Sequence, residues 1–118
     1  MEVGNLSELT VLNLKNNKVG VIPSEIGKLL NLKTLILDKN LIQKFPTQLC
    51  ALINLTLLDL DGNLFKTLPP EIINLVNIKE LYLGVNPWGS FPVTTYSYLE
   101  KLEYGQSESV RKLLKTKN

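Results

Sequence analysis

Apolar residues along this chain follow two alternating rhythms. Leu12 and Leu14 stand apart by two with polar neighbours, the period of a strand with one face turned inward, whereas Ile26, Leu29 and Leu30 fall at helical spacing. The pair of rhythms repeats. From Leu9 the spacing L-x-x-L-x-L-x-x-N is carried by Leu9, Leu12, Leu14 and Asn17, and next by Leu32, Leu35, Leu37 and Asn40. It returns as Leu55, Leu58, Leu60 and Asn63, and as Ile78, Leu81, Leu83 and Asn86, each copy 23 residues after the last. The second half of the period keeps step: Val19, Ile42, Phe65 and Trp88, then Ile22, Phe45, Leu68 and Phe91, directly before Pro23, Pro46, Pro69 and Pro92. After each proline comes an apolar pair, Ile26 with Leu29, Leu49 with Leu52 and Ile72 with Leu75. In the fourth copy Thr95 and Tyr98 take its place, as in a terminal repeat whose pattern decays.

The pattern predicts strands near 11–15, 34–38, 57–61 and 80–84, with short helical or 3₁₀ turns near 24–30, 47–53 and 70–75. Pro70 suits a first helical position, and Ser24 or Thr47 suits an N-cap. No single copy can bury its own apolar face, so neighbouring copies must stack. Asn17, Asn40, Asn63 and Asn86 then close the turn after each strand, since an amide both donates to and accepts from backbone groups. Trp88 shares a column with Phe65 and is expected to fill the core, and Cys50, beside Leu49, is expected to be a packed thiol.

The spacing resembles that of the leucine-rich repeat family over roughly residues 1–98. Its L-x-x-L-P-x-x-I-x-x-L half is similar to the intracellular Ras-associated and Scribble/Erbin-like scaffold repeats. The resemblance implies an α/β architecture: a right-handed leucine-rich repeat solenoid with a parallel sheet on its concave side and short helical or 3₁₀ turns on its convex side. Residues 1–118 are expected to form one such domain: a half repeat at 1–8, repeats at 9–31, 32–54, 55–77 and 78–98, and a C-terminal cap at 99–118. Residues 1–8 align with 24–31, so the first strand of the series is missing; either a longer parent has been cut or the product begins abruptly. At the other end Leu99, Leu102 and Tyr104 are read as a final short strand, with a helix over 95–104 as the alternative. Ser107 is read as the N-cap of a terminal helix carrying Val110, Leu113 and Leu114.

Composition narrows the function. With no histidine the chain lacks the commonest general base and metal ligand, and it shows no phosphate-binding glycine loop and no cysteine cluster. A non-catalytic protein without cofactor is expected. The net charge is +2, but residues 105–118 hold Arg111, Lys112, Lys115 and Lys117 against Glu108, leaving the rest at −1. That distribution offers no basic stripe across the folded face, which argues against nucleic acid. No apolar run reaches the roughly 18 residues that span a bilayer, so no membrane partner is expected. The single cysteine suits a reducing compartment, and the cytoplasm is the expected location. The triplets Asn5-Leu6-Ser7 and Asn54-Leu55-Thr56 have the form of glycosylation acceptors, although the repeat itself generates Asn-Leu pairs.

What remains is the exposed side of the strands. Its columns read Val11, Thr34, Leu57, Glu80; Asn13, Ile36, Asp59, Tyr82; and Lys15, Asp38, Asp61, Gly84. Val11, Asn13, Ile36, Asp38, Leu57, Asp59, Asp61, Glu80 and Tyr82 are therefore the candidate partner-binding residues: an acidic patch of Asp38, Asp59, Asp61 and Glu80 flanked by Ile36, Leu57 and Tyr82. This mixture points to a protein or peptide bearing basic and apolar residues. The role expected is a protein-interaction module in intracellular signalling or scaffolding, or a targeting fragment of a larger kinase, GTPase or signalling protein. Calcium binding by paired carboxylates is a minor alternative. The strand at 11–15 has no strand before it, so an edge-to-edge homodimer is a further expectation, opposed by Lys15 and Lys18.

Overall fold

The structure, a computed structural model, describes residues 7–102. The terminal helix read from Ser107 onward, Tyr104 and most of the opening half repeat lie outside them. Four three-residue strands, β1 (Val11–Asn13), β2 (Thr34–Ile36), β3 (Leu57–Asp59) and β4 (Glu80–Tyr82), form one parallel sheet in chain order. Their register advances by whole repeats: Leu12 pairs with Leu35, Leu35 with Leu58 and Leu58 with Leu81. These central leucines face inward and are buried. With Leu29, Leu32, Leu37, Leu52, Leu55, Phe65 and their column-mates they form one continuous core along the stack, the outcome expected when no repeat can hide its apolar face alone.

The strands are shorter than the pattern predicts, yet their hydrogen bonds run on: the N–H of Leu14 donates to Ile36 O at 2.8 Å and that of Asn16 to Asp38 O at 3.0 Å. Pairing persists while the chain turns, because a residue in the left-handed region follows each strand. Asn16, Lys39, Gly62 and Val85 have φ of 56°, 58°, 67° and 48°. They occupy equivalent places in the four repeats.

Behind the sheet the convex side consists of 3₁₀ turns at Ser24–Lys28, Thr47–Ala51, Pro70–Asn74 and Val93–Thr95. The first three have five residues each and the last has three, and 3₁₀ geometry lets so few cross the back of a repeat because it rises more steeply per residue than an α-helix. Pro70 takes the first helical position as expected. The N-cap expectation is corrected. Pro23 and Pro46 precede the turns, in extended conformation, and no side chain caps them. Their carbonyls accept the first bonds, from Ile26 at 3.1 Å and Leu49 at 3.0 Å. Of the two readings at the end of the repeats, the described residues follow the helix and not the final strand. The chain passes from the last 3₁₀ turn into α1 (Tyr96–Glu100), burying Leu99. There Tyr98 donates its hydroxyl to Leu75 O at 2.7 Å and the wholly buried Thr95 bonds Pro92 O at 2.6 Å, so these replacements of the apolar pair satisfy their polar atoms inside the stack.

Two side-chain ladders tie the repeats together. Asn40 accepts the N–H groups of Asn17 (3.0 Å) and Val19 (2.8 Å) and donates to the carbonyls of Leu14 and Leu37, both at 2.9 Å. Asn86 repeats the arrangement with Asn63 and Phe65, and Asn63 accepts the N–H of Ile42 while donating to Leu37 and Leu60 O. The second ladder was not foreseen: Asn31, Asn54 and Asn77 donate to the carbonyls of Ser7, Leu30 and Ile53 at 2.9, 2.8 and 2.7 Å. Asn54, which sequence alone marks as a glycosylation acceptor, thus has an internal structural use.

Candidate partner-binding surface

Because side chains alternate across a strand, burying Leu12, Leu35, Leu58 and Leu81 turns their neighbours outward. Register brings Val11, Thr34, Leu57 and Glu80 into one row and Asn13, Ile36, Asp59 and Tyr82 into the next. Val11 and Asn13 are exposed, and Ile36, Leu57, Asp59, Glu80 and Tyr82 are half-buried. The Tyr82 hydroxyl donates to Glu80 Oε1 at 2.7 Å, which fixes the ring on the concave face and raises the phenol pKa.

The third row departs from expectation. Asp38 is not part of an open acidic patch: only 7% of it is exposed, Lys15 Nζ stands 3.7 Å from its Oδ2, and its Oδ1 is buried. The chain begins to turn at this position, carrying the side chain down among its neighbours. Asp61 is half-buried, and its Oδ1 accepts the N–H of Gly84 on the next repeat. Asp59 Oδ1 accepts the N–H of Asp61 at 3.0 Å, closing an Asx turn at the end of β3.

These carboxylates shift one another. Burial pushes the Asp59 carboxyl up to about 6; Asp61 and Asp38 push the same way, while the Asp61 N–H and Lys15 oppose. Asp61 is also raised, by burial first and then by Asp38, against the Gly84 N–H. A cation brought to this face would meet carboxylates short of positive partners, beside the apolar surfaces of Ile36, Leu57 and Tyr82. Among the described residues no three Cys, Asp or Glu side chains are grouped to hold a metal ion, and no helix is long and apolar enough to cross a membrane.

Elsewhere Cys50 is buried, and burial together with Glu71 pushes its thiol up to about 12, leaving it protonated. Trp88 stacks on Phe65 with centroids 6.0 Å apart and donates its indole N–H to Leu83 O, closing the aromatic column while remaining half-buried.

Residues 1–111 match the leucine-rich repeat region family. No curated protein matches the chain. Among solved structures it is similar to a leucine-rich repeat protein of Leptospira interrogans, at 36% identity and a TM-score of 0.78, over 97% of this chain and 31% of that one. It is also similar to the ectodomain of the Arabidopsis thaliana membrane receptor kinase GASSHO1/SCHENGEN3, solved with Casparian strip integrity factor 2 (33% identity, TM-score 0.71, 84% of this chain, 12% of that one). A third is the plant peptide hormone receptor RGFR1 in complex with RGF2 (32% identity, TM-score 0.72, 85% and 17%). The chain therefore spans about a third or less of the length of these proteins.

Proposed function

Because the chain belongs to the leucine-rich repeat family, whose fold is typical of protein-interaction modules, we propose that it is a non-catalytic module binding a protein or peptide on its concave face. The observation that carries this reading is the row Asn13, Ile36, Asp59, Tyr82, where a half-buried aromatic and an aliphatic side chain flank a carboxylate on a rigid sheet. The partner is a surface or segment with lysine or arginine around one or two apolar residues, since apolar anchors supply affinity and charge supplies selection. With Asp38 buried, Asp59, Asp61 and Glu80 carry that selection. Two similar structures are receptors solved with a named second component, which supports a binding role for this fold.

We place that role in cytoplasmic signalling or scaffolding. The support is the lone buried Cys50, which needs no oxidising compartment. A targeting segment of a larger signalling protein is the second reading, favoured by the small share of the similar proteins that the chain spans.

The test is affinity between the chain and a partner crosslinked to its concave face. Tyr82→Ala should weaken binding by about 2 kcal/mol, as loss of a buried aromatic anchor does. Asp59→Lys should chiefly slow association and reduce its salt dependence. Circular dichroism must show both variants folded. Unchanged affinity in both would move the interface elsewhere on the solenoid. A chelator that alters affinity would favour the calcium reading.

A further inference from the structure

On the flank of the solenoid, where the chain passes from sheet to convex turns, lies an open cleft of about 810 Å³. Its floor is apolar. Ile22, Leu68 and Phe91 are buried in their column, but Phe45, the fourth member, is half-buried and opens into this cleft beside the 41%-exposed Leu64. Phe45 also packs on Phe65, with centroids 6.2 Å apart, so its exposed ring is backed by the core and held in place.

The walls are rich in proline, Pro69, Pro70, Pro87 and Pro92, and proline has no N–H to offer. An occupant is therefore gripped through its side chains rather than by strand addition. Lys44 and Lys66 stand on the rim, and among the described residues no acidic side chain lines the cleft and neither lysine has an ion-pair partner. An apolar floor beneath two unpaired ammonium groups is complementary to an apolar side chain carried between carboxylates. The chain's own residues 105–118 hold Arg111, Lys112, Lys115 and Lys117 against Glu108, the same sign of charge as this rim. The lining comes from the second to the fourth repeat, so at about 4.8 Å per strand spacing it accommodates about three extended residues.

We propose that this cleft is a second docking site, separate from the concave face, for a short acidic segment of a partner protein that seats an aromatic or leucine side chain against Phe45 and Leu64 while its carboxylates meet Lys44 and Lys66. The two surfaces then select opposite charges, which lets one module bridge two different proteins.

Three end-blocked, fluorescein-labelled peptides test this by anisotropy against the whole chain: Glu-Glu-Phe-Leu-Glu-Glu, the same with lysine for glutamate, and the same with serine for Phe-Leu. The first should bind saturably and the others at least about tenfold more weakly, with affinity falling as salt rises. Joint Lys44→Glu and Lys66→Glu should weaken the first peptide about tenfold or more. Leu64→Ser should weaken it about fivefold, and Tyr82→Ala should leave it unchanged. The Tyr82 variant keeps this site distinct from the concave one: loss of peptide binding through Tyr82 alone overturns the flank site and leaves the concave reading standing. Equal binding of all three peptides, or indifference to lysine reversal in a variant shown to be folded, overturns the proposal. So does sedimentation in which the cleft substitutions dissolve a dimer while the peptides do not bind, since the occupant is then a second copy.

Discussion

Asn86 Oδ1 accepts the backbone N–H of Asn63 at 3.1 Å, and Asn40 and Asn63 likewise reach back to the turn of the repeat before their own. Asn63 in turn accepts the N–H of Ile42 and donates to the carbonyls of Leu37, Leu60 and Asp61, with 4% of its surface exposed. Asn63→Ala should strand several buried backbone groups and cost about 3 kcal/mol. Asn63→Asp should be no better, since a carboxylate cannot donate to three carbonyls. Asn17 is exposed and donates only to Lys15 O, so Asn17→Ala should cost under about 1 kcal/mol. Urea unfolding distinguishes a ladder with unequal rungs from a uniform one; equal losses at Asn17 and Asn63 would contradict it.

Gly27 marks where successive convex turns touch. A Cβ there would lie 2.7 Å from Gln48 O, a backbone atom that cannot swing aside. Gly27→Ala should cost about 2 kcal/mol by overpacking. Gly20→Ala meets nothing within 4 Å and should be neutral or slightly stabilising through the unfolded state. Thermal melts of the two variants decide whether close approach, rather than chain flexibility, requires glycine at 27.

Val85 occupies the left-handed place after β4 with φ 48° although it is β-branched and 83% exposed. Little packing is at stake, so relief of backbone strain should dominate. Val85→Gly should stabilise the fold by about 1 kcal/mol, and Val85→Asn by a similar direction of change. A loss of stability in both would mean that the valine side chain contributes contacts outweighing its strain.

The carboxylates of the concave face predict a pH response. Asp59 has its folded pKa raised to about 6 from 3.8, so the folded state binds a proton that the unfolded state does not between those values. Its contribution to stability is full below pH 3.8 and is lost as pH rises through about 6. Asp61, Asp38 and Lys15 act on this group, and Tyr82 and Glu80 stand in the neighbouring strand. Asp59→Asn keeps an oxygen for the Asp61 N–H, removes the buried charge, and should raise Tm at pH 7 while flattening its dependence between pH 4 and 6. A variant with the same pH slope as the parent would assign that slope to other groups.

The hydrophobic rhythm was enough to place the strands, the stacked core and the asparagine turns, because register in a solenoid is dictated locally: each buried leucine must meet its counterpart one repeat away. The outward rows of the sheet followed from the same alternation, and Tyr82, Ile36 and Asp59 stand where that predicts. The fate of Asp38 depended on tertiary structure, since alternation ends where the backbone turns and the next side chain is carried inward. The left-handed residues were equally hidden, because Asn16, Lys39, Gly62 and Val85 share a conformation imposed by stacking and no common side-chain chemistry. The flank cleft was hidden for a related reason. Phe45 belongs to a buried column by sequence, and only the packing of adjacent repeats left its ring half open beside two lysines.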